Sequence, residues 1–342
     1  MRKKHIKTFD QFNDEKFRII YSRPLKNHHR LFFRSKVTYL VKDLKAKVDV
    51  KTMDLLFATT LFSDGAVALR LKKLYGLPYV IAVRSTDIDL YMRYRKDLHG
   101  LASKILNGAS AIVFISESLK KKFFSANIFT KMSNEIEAKS YTVPNGIDAF
   151  WINKIQAKKV SSKNKILFVG YFLKRKNIVP LIKAVLLLNS KEETYQLDIV
   201  GKAGSPEEEA KIRKYSMQYD YINLLGPITD KEELKSIYAR NDFFVMPSVR
   251  ETFGLVYLEA LSQGLPVIYA KGEAIDGIFD FKVGEMVDPN SVESIADGIG
   301  KVSKNHGQYE LSRIDLAHFS WKSIANKYGN IFRSVIPPEK SK

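Results

Sequence analysis

Short unbroken apolar runs alternate along this chain with longer segments of helical periodicity, and that alternation limits the fold more than any other feature. Residues 54–58, 79–83 and 111–115 are such runs, and residues 65–75 and 90–107 between them carry helical patterns. A strand that is apolar at every position is buried on both faces, which points to a parallel sheet covered by helices on each side. Ser116 is placed to cap a helix that opens near Leu119.

The turn Pro144-Asn145-Gly146-Ile147-Asp148 and a polar stretch over 154–165 then interrupt the pattern, and the stretch reads as a linker. The alternation restarts beyond it. Strands are expected at 166–169, 196–200, 222–225, 243–246 and 266–269, with helices at 179–188, 207–219, 230–240 and 254–263. The expected fold class is α/β, with two Rossmann-like doubly wound domains facing a cleft. The divisions are 1–158, 159–320, and 321–342 with a last helix over 321–335 that crosses back to the first domain. Residues 1–50 offer one short strand, 17–21, and no glycine-rich loop after a strand, so the first domain is expected to have an incomplete start.

Composition narrows the chemistry. With 342 residues the chain is long enough for two domains. It has no cysteine, which removes disulfides, thiolate metal sites and thiol nucleophiles. The most apolar stretch, 179–188, is cut by Pro180 and Lys183 and is too short to span a bilayer. The basic start has no apolar h-region behind it, so a cytoplasmic location is expected, with room for a peripheral place on the inner membrane face. The net charge of +19 is unevenly spread: residues 1–150 hold 28 Lys and Arg against 14 Asp and Glu. Such a surface suits an anionic membrane, an anionic small molecule or nucleic acid, or is simply a solvated lysine-rich face. Leu119-Lys120-Lys121-Lys122-Phe123-Phe124 sets cations beside apolar anchors and favours the membrane.

The segment from Pro247 to Ile268 carries the chemistry. It reads as strand end, loop and helix, closed by Gly264 and Pro266. Phe253, Gly254 and Leu255 fall at the helix start, where N–H groups lack intrahelical acceptors and attract a diphosphate. Glu251 precedes this tip and Glu259 lies about one turn inside the helix. Two carboxylates flanking phosphate-binding amides fit a nucleotide sugar, each accepting hydrogen bonds from hydroxyls. Spacing alone also fits two unrelated glutamates; the strand, Pro-Ser, loop, glycine and helix around them decide for a site.

The same segment resembles the E-x7-E region of retaining GT-B glycosyltransferases of the family-four type (glycosyl transferases group 1). Val169-Gly170 followed by Lys176, Gly201 at a strand end, Leu225-Gly226-Pro227-Ile228, Tyr238-Ala239-Arg240-Asn241-Asp242 and the Pro144 turn are similar to further motifs of that family. The likeness runs from about residue 50 to 335. It implies a hexosyl-type transfer from a nucleotide-diphosphate sugar to a saccharide or lipid-linked saccharide, with anomeric retention, in surface polysaccharide synthesis. It implies that Glu251 binds a hydroxyl of the transferred sugar and Glu259 the ribose, while Phe253, Gly254 and Leu255 hold the diphosphate. Lys176 would neutralise the departing diphosphate, Ile228 would lie against the base, and Gly170 and Arg175 would line the same pocket. No metal and no cofactor are expected, the nucleotide sugar being a substrate.

The chain departs from the family pattern in three places. Tyr171 stands where an arginine is usual, with Lys174 and Arg175 nearby. Arg84 in Val83-Arg84-Ser85-Thr86-Asp87 stands where a histidine is frequent. It cannot act as a base but can clamp an anion, so Arg84 and Asp87 are candidates for the acceptor side, or a strand-end pair with each other. The glycine-rich first unit is missing. No other metal or nucleophile pattern competes: the six histidines show no ligand spacing, and there is no G-x-G-x-x-G, G-x-S-x-G or P-loop. Nucleic acid is not an expected partner; the alternative reading is a catalytically impaired or non-catalytic basic protein that binds nucleic acid or membrane.

Overall fold

The computed structural model describes residues 17–152, 155, 164–191 and 194–337. The expected domain boundary at 158/159 and most of the 154–165 linker lie outside the described residues. Two compact units emerge, Met1–Val113 with Ala126–Tyr141 and Asn330–Lys342, and Phe114–Ser125 with Thr142–Gly329.

The chain opens with α1 (Phe33–Lys47), β1 (Leu56–Ala58), α2 (Ser63–Tyr75) and β2 (Tyr79–Val83). A π-helical turn (Asp87–Met92) and a 3-10 turn (Lys96–Leu98) lead into α3 (His99–Gly108), β3 (Ala111–Phe114), α4 (Glu117–Ser125), α5 (Ser133–Ala138) and β4 (Ser140–Thr142). These strands form a sheet in the order β1-β2-β3-β4. Every residue of β2 and of β3 is buried, as their unbroken apolar runs require. Gly76 ends α2 in the left-handed conformation (φ 71°) that favours glycine.

Three expectations for this region are corrected. Residues 17–21 belong to no strand; Lys47 Nζ binds the Tyr21 carbonyl, which anchors the stretch by a side chain instead of a sheet ladder. The helix expected over 90–107 is broken, with Arg95 at φ −112°, ψ 61° between the π-turn and the 3-10 turn. Two of the apolar residues that the 119–124 patch was expected to offer at the surface lie inside: Leu119 and Phe123 are buried, and the Phe123 ring packs 5.3 Å from Phe114. Ser116 does cap its helix, accepting from the Leu119 N–H at 3.2 Å.

The second unit continues with β5 (Lys165–Val169), α6 (Ile178–Asn189), β6 (Gln196–Val200), α7 (Pro206–Gln218) and β7 (Ile222–Gly226). It is completed by α8 (Lys231–Arg240), β8 (Phe243–Met246), α9 (Leu255–Ser262), β9 (Val267–Ala270), β10 (Gly284–Val287) and α10 (Val292–Lys304). α11 (Trp321–Val335) begins in the second unit and ends in the first. The six strands stand in the order β10-β9-β8-β5-β6-β7, and every neighbouring pair is parallel. Counted within the unit this is the doubly wound order 3-2-1-4-5-6, which reverses between β5 and β8. The core is aliphatic and aromatic: Phe168, Phe243, Phe244 and Tyr257 are fully buried. Among the described residues no helix is long and apolar enough to cross a membrane.

Candidate active site

A parallel sheet whose order reverses leaves a crevice beyond the carboxyl ends of the two strands at the reversal, because their following helices depart to opposite faces. Here those strands are β5 and β8. The loop after β5 carries Gly170, Arg175 and Lys176, and the loop after β8 carries Glu251, Phe253 and Gly254. Residues about 75 positions apart in sequence are thus brought to one place.

The two loops are laced together. Asn177 takes a left-handed conformation (φ 56°) after the 3-10 turn Lys174–Lys176, and its Nδ2 donates to the carbonyls of Pro247 (3.0 Å) and Pro289 (2.7 Å). The Val249 N–H donates to the Arg175 carbonyl at 2.8 Å. The result is an ion pair between Lys176 Nζ and Glu251 Oε2, with side chains 11% and 12% exposed. Arg175 stands 3.7 Å from the same oxygen and is more open. Both cations can therefore address an anion beside Glu251. Tyr171, in the position where arginine was expected, is exposed with Lys202 over its ring at 5.4 Å, so it adds no cation of its own.

The helix tip is built around Gly254, the N-cap of α9, at φ 71°, ψ 73°. A Cβ there would lie 2.6 Å from the buried Tyr257 ring and 3.3 Å from Glu251 Cγ, so glycine is required for close approach as well as for backbone freedom. Arg250 at φ 60° is a second left-handed residue in this loop, a conformation costly for a side chain and concentrated at functional sites. The Glu251 carbonyl accepts from Ala274 N–H at 2.9 Å, and the Thr252 carbonyl from Ser116 Oγ at 3.1 Å. Phe253 is buried 6.4 Å from Phe319, so only its main chain is available to a ligand. The first N–H groups of α9, with Leu255 at its opening, have no intrahelical acceptor and point outward from the helix end.

Glu259 lies one turn into α9, half-buried, and accepts from Tyr238 Oη at 3.1 Å. Burial pushes its carboxyl up, with Asp148 adding to the rise, while the Tyr238 bond and Lys231 oppose it. Burial also pushes the Tyr238 phenol well above its ordinary value, so it remains a hydrogen-bond donor. Tyr238 stood in the Tyr-Ala-Arg-Asn-Asp motif but was not identified as a site residue; its partner is 21 positions away and only the fold joins them. Asn177 was missed as well, the signal being an asparagine between a basic turn and a helix.

The raised Glu259 pKa fixes a sign. Its proton is held more tightly in the folded state, so stability is lost as pH rises from 4.5 through the raised value. Glu259→Gln is expected to raise the unfolding midpoint at neutral pH and flatten this part of the pH profile, while weakening nucleotide binding. Thermal melts across pH with calorimetric nucleotide titration check it; an unchanged melting profile with intact binding would remove Glu259 from the site.

Ile228 follows Gly226 at the end of β7 and is half-buried. In the first unit, Asp87 is 1% exposed, and its Oδ2 accepts from the main-chain N–H of Leu61 (3.0 Å) and Arg84 (2.9 Å). Burial raises its pKa against those bonds. The Arg84 guanidinium does not pair with Asp87; its Nε donates to the Thr59 carbonyl at 3.1 Å. Asp87 therefore braces the main chain, and Arg84 is the member of the expected acceptor-side pair that a ligand can reach. Among the described residues no group of three His, Asp or Glu is arranged to hold a metal ion.

The doubly wound sheet, with basic and acidic loops at its reversal and a glycine-opened helix tip, defines an α/β protein of the class that binds ligands at a topological switch point. Residues 150–314 match the family described as glycosyl transferases group 1, and the chain has a GT-B fold like that of solved glycosyltransferases. An uncharacterised glycosyltransferase of Methanocaldococcus jannaschii is 28% identical over 288 residues, covering 78% of this chain and 72% of that relative. The capsular polysaccharide biosynthesis glycosyltransferase CapM of Staphylococcus aureus is 30% identical over 234 residues, covering 65% of this chain and 58% of CapM. HepE of Anabaena, solved in complex with UDP, superposes with a TM-score of 0.65 at 18% identity, over 87% of this chain and 82% of HepE.

Proposed function

We propose that this chain transfers a sugar, with retention, from a nucleoside-diphosphate sugar to a saccharide or lipid-linked saccharide in the building of a surface polysaccharide. One observation carries the reading: the sheet reversal sets the Lys176–Glu251 pair beside the Gly254 tip of α9. In this reading the α9 amides hold the diphosphate and Glu259 accepts from the ribose. Glu251 accepts from a hydroxyl of the transferred sugar, Gly170 and Ile228 line the pocket, and Arg175 supplements the cationic edge. As the bond from the anomeric carbon to the diphosphate oxygen breaks, the leaving group gains charge, and Lys176 stabilises it more than it stabilises the intact donor. The acceptor oxygen bonds to the anomeric carbon on the same face, and its proton passes to the departing diphosphate. Arg84 is assigned to an anionic group of the acceptor. The capsular and O-antigen relatives support the polysaccharide setting, and the UDP complexes of HepE support a nucleoside diphosphate as ligand.

The test is calorimetric titration with UDP, GDP and ADP, followed by a panel of the corresponding sugars and a lipid-linked saccharide acceptor, read by product mass and by NMR of the new linkage. One nucleoside diphosphate is expected to bind and its sugar to be transferred with the donor's anomeric configuration kept. Binding of none, with no product from any donor, would favour a non-catalytic protein.

A further inference from the structure

The loops that follow β5 and β6 touch. A Cβ on Gly201, the residue after β6, would overlap the Gly170 carbonyl oxygen, and the Phe172 N–H donates to the Lys202 carbonyl at 2.9 Å. Gly170 in turn lies beside Lys176, whose Cε would stand 4.0 Å from a Cβ at that glycine. The Lys202 side chain therefore starts next to the ground over which Lys176 passes. Its ammonium sits over the exposed Tyr171 ring, 5.4 Å from the centroid, where the negative face of an aromatic ring attracts a cation. Lys202 is exposed, and among the described residues no carboxylate pairs with it. The cations on the neighbouring loop differ: Lys176 is neutralised by Glu251, and Arg175 leans on the same carboxylate at 3.7 Å.

We propose that Lys202, seated on the Tyr171 ring, binds the phosphate nearer the ribose of the donor, and that Tyr171 is the positioning residue that holds it there. The inference rests on the nucleotide-site reading above and adds two residues to it. Strand order gives the placement. β8, β5, β6 and β7 are successive neighbours in the sheet, and the loops after them carry Glu251, Lys176, Lys202 and Ile228. With the transferred sugar at Glu251 and the base at Ile228, Lys202 falls on the ribose side of Lys176. A nucleoside-diphosphate sugar carries a charge on each phosphate, and Lys202 brings a cation that no carboxylate already neutralises. The ring restrains a long side chain before the nucleotide arrives, which lowers the ordering cost of binding. Position 171 thus supplies a seat for a cation, and the neighbouring strand supplies the cation. Lys174 is also exposed, but among the described residues no contact holds its side chain at the crevice.

Calorimetric titration of the full chain with UDP, GDP and ADP, each with its monophosphate and nucleoside, tests it. For the base that the wild type accepts, Lys202→Met is expected to weaken diphosphate and monophosphate alike by about tenfold, the scale of one charge-assisted hydrogen bond, and to leave the nucleoside unchanged. Tyr171→Leu is expected to weaken both phosphates about threefold, the scale of an exposed cation–π contact, whereas Tyr171→Phe keeps the ring and the wild-type affinity. Lys174→Met is the control for general charge and should bind as the wild type does. Tyr171 and Lys202 are both exposed, so all four variants should melt with the wild type. Wild-type affinity in Lys202→Met, equal losses in Lys202→Met and Lys174→Met, a loss confined to the diphosphate, or Tyr171→Phe behaving as Tyr171→Leu would each overturn the proposal. Binding of no nucleotide by the wild type would instead strike the nucleotide-site reading, and this inference with it.

Discussion

Glu251→Ala is expected to lower kcat by about 10²–10³-fold, the range seen when one preorganised polar contact to a transition state is removed. It should also cost about 3 kcal/mol of stability. The second effect follows from burial. Lys176 is only 11% exposed and has Glu251 as its ion-pair partner; deleting the carboxylate leaves an ammonium with little water and, among the described residues, only Met246 Sδ at 3.5 Å as a remaining acceptor. Breaking a buried pair from one side is far more damaging than replacing both members, which can be nearly neutral. Lys176→Met introduced into the Glu251→Ala background should therefore restore much of the stability and none of the turnover. Urea denaturation of the four proteins of the cycle, with kcat for each, separates the two consequences. Equal destabilisation by Lys176→Met in both backgrounds would mean that the pair is not coupled.

Gly254→Ala is the second large effect. At φ 71° an alanine pays the left-handed penalty of roughly 1–2 kcal/mol. Its Cβ also meets the Tyr257 ring at 2.6 Å. That ring has nowhere to go: it is fully buried, packs 5.5 Å from Phe244, and its hydroxyl donates to the Met246 carbonyl at 2.5 Å. The start of α9 must shift instead, and nucleotide affinity is expected to fall by more than about tenfold, each tenfold being 1.4 kcal/mol. Gly272→Ala is the internal control, since Gly272 has φ 73° and nothing within 4 Å of its added Cβ. It should show the backbone penalty alone and keep nucleotide binding. Equal effects of the two substitutions on binding would show that the tip does not touch the ligand.

Much of the fold could be read from the sequence because buried parallel strands announce themselves. Residues 79–83 and 243–246 are apolar throughout, and the structure has strands there. What failed was where local pattern and tertiary context disagree. α1 went unread because its many lysines hide a narrow seam, Phe33, Val37 and Val41 at intervals of four, which is what the helix buries. Residues 17–21 looked like a strand by composition but find no neighbour. The 90–107 pattern concealed a break, where Arg95 turns to pair with Asp97 at 2.7 Å.

The candidate site divides the same way. Glu251, Gly254 and Glu259 stand eight residues apart at most, so a motif could place them on one loop and helix. Lys176 and Tyr238 could be named by resemblance only as members of other motifs. Their partners, Glu251 and Glu259, were fixed by strand order, which no local window contains.

The ties from Asn177 to Pro247 and Pro289, and from Val249 to the Arg175 carbonyl, make the cationic and acidic loops one mechanical piece. An engineer who grafts only the cationic loop from a relative to change sugar choice puts all three of these hydrogen bonds at risk, and one who grafts only the acidic loop puts at risk the two that join them. Exchange of substrate preference in this scaffold should succeed when the segments around 170–177 and 247–254 are transplanted together with the turn at Pro289.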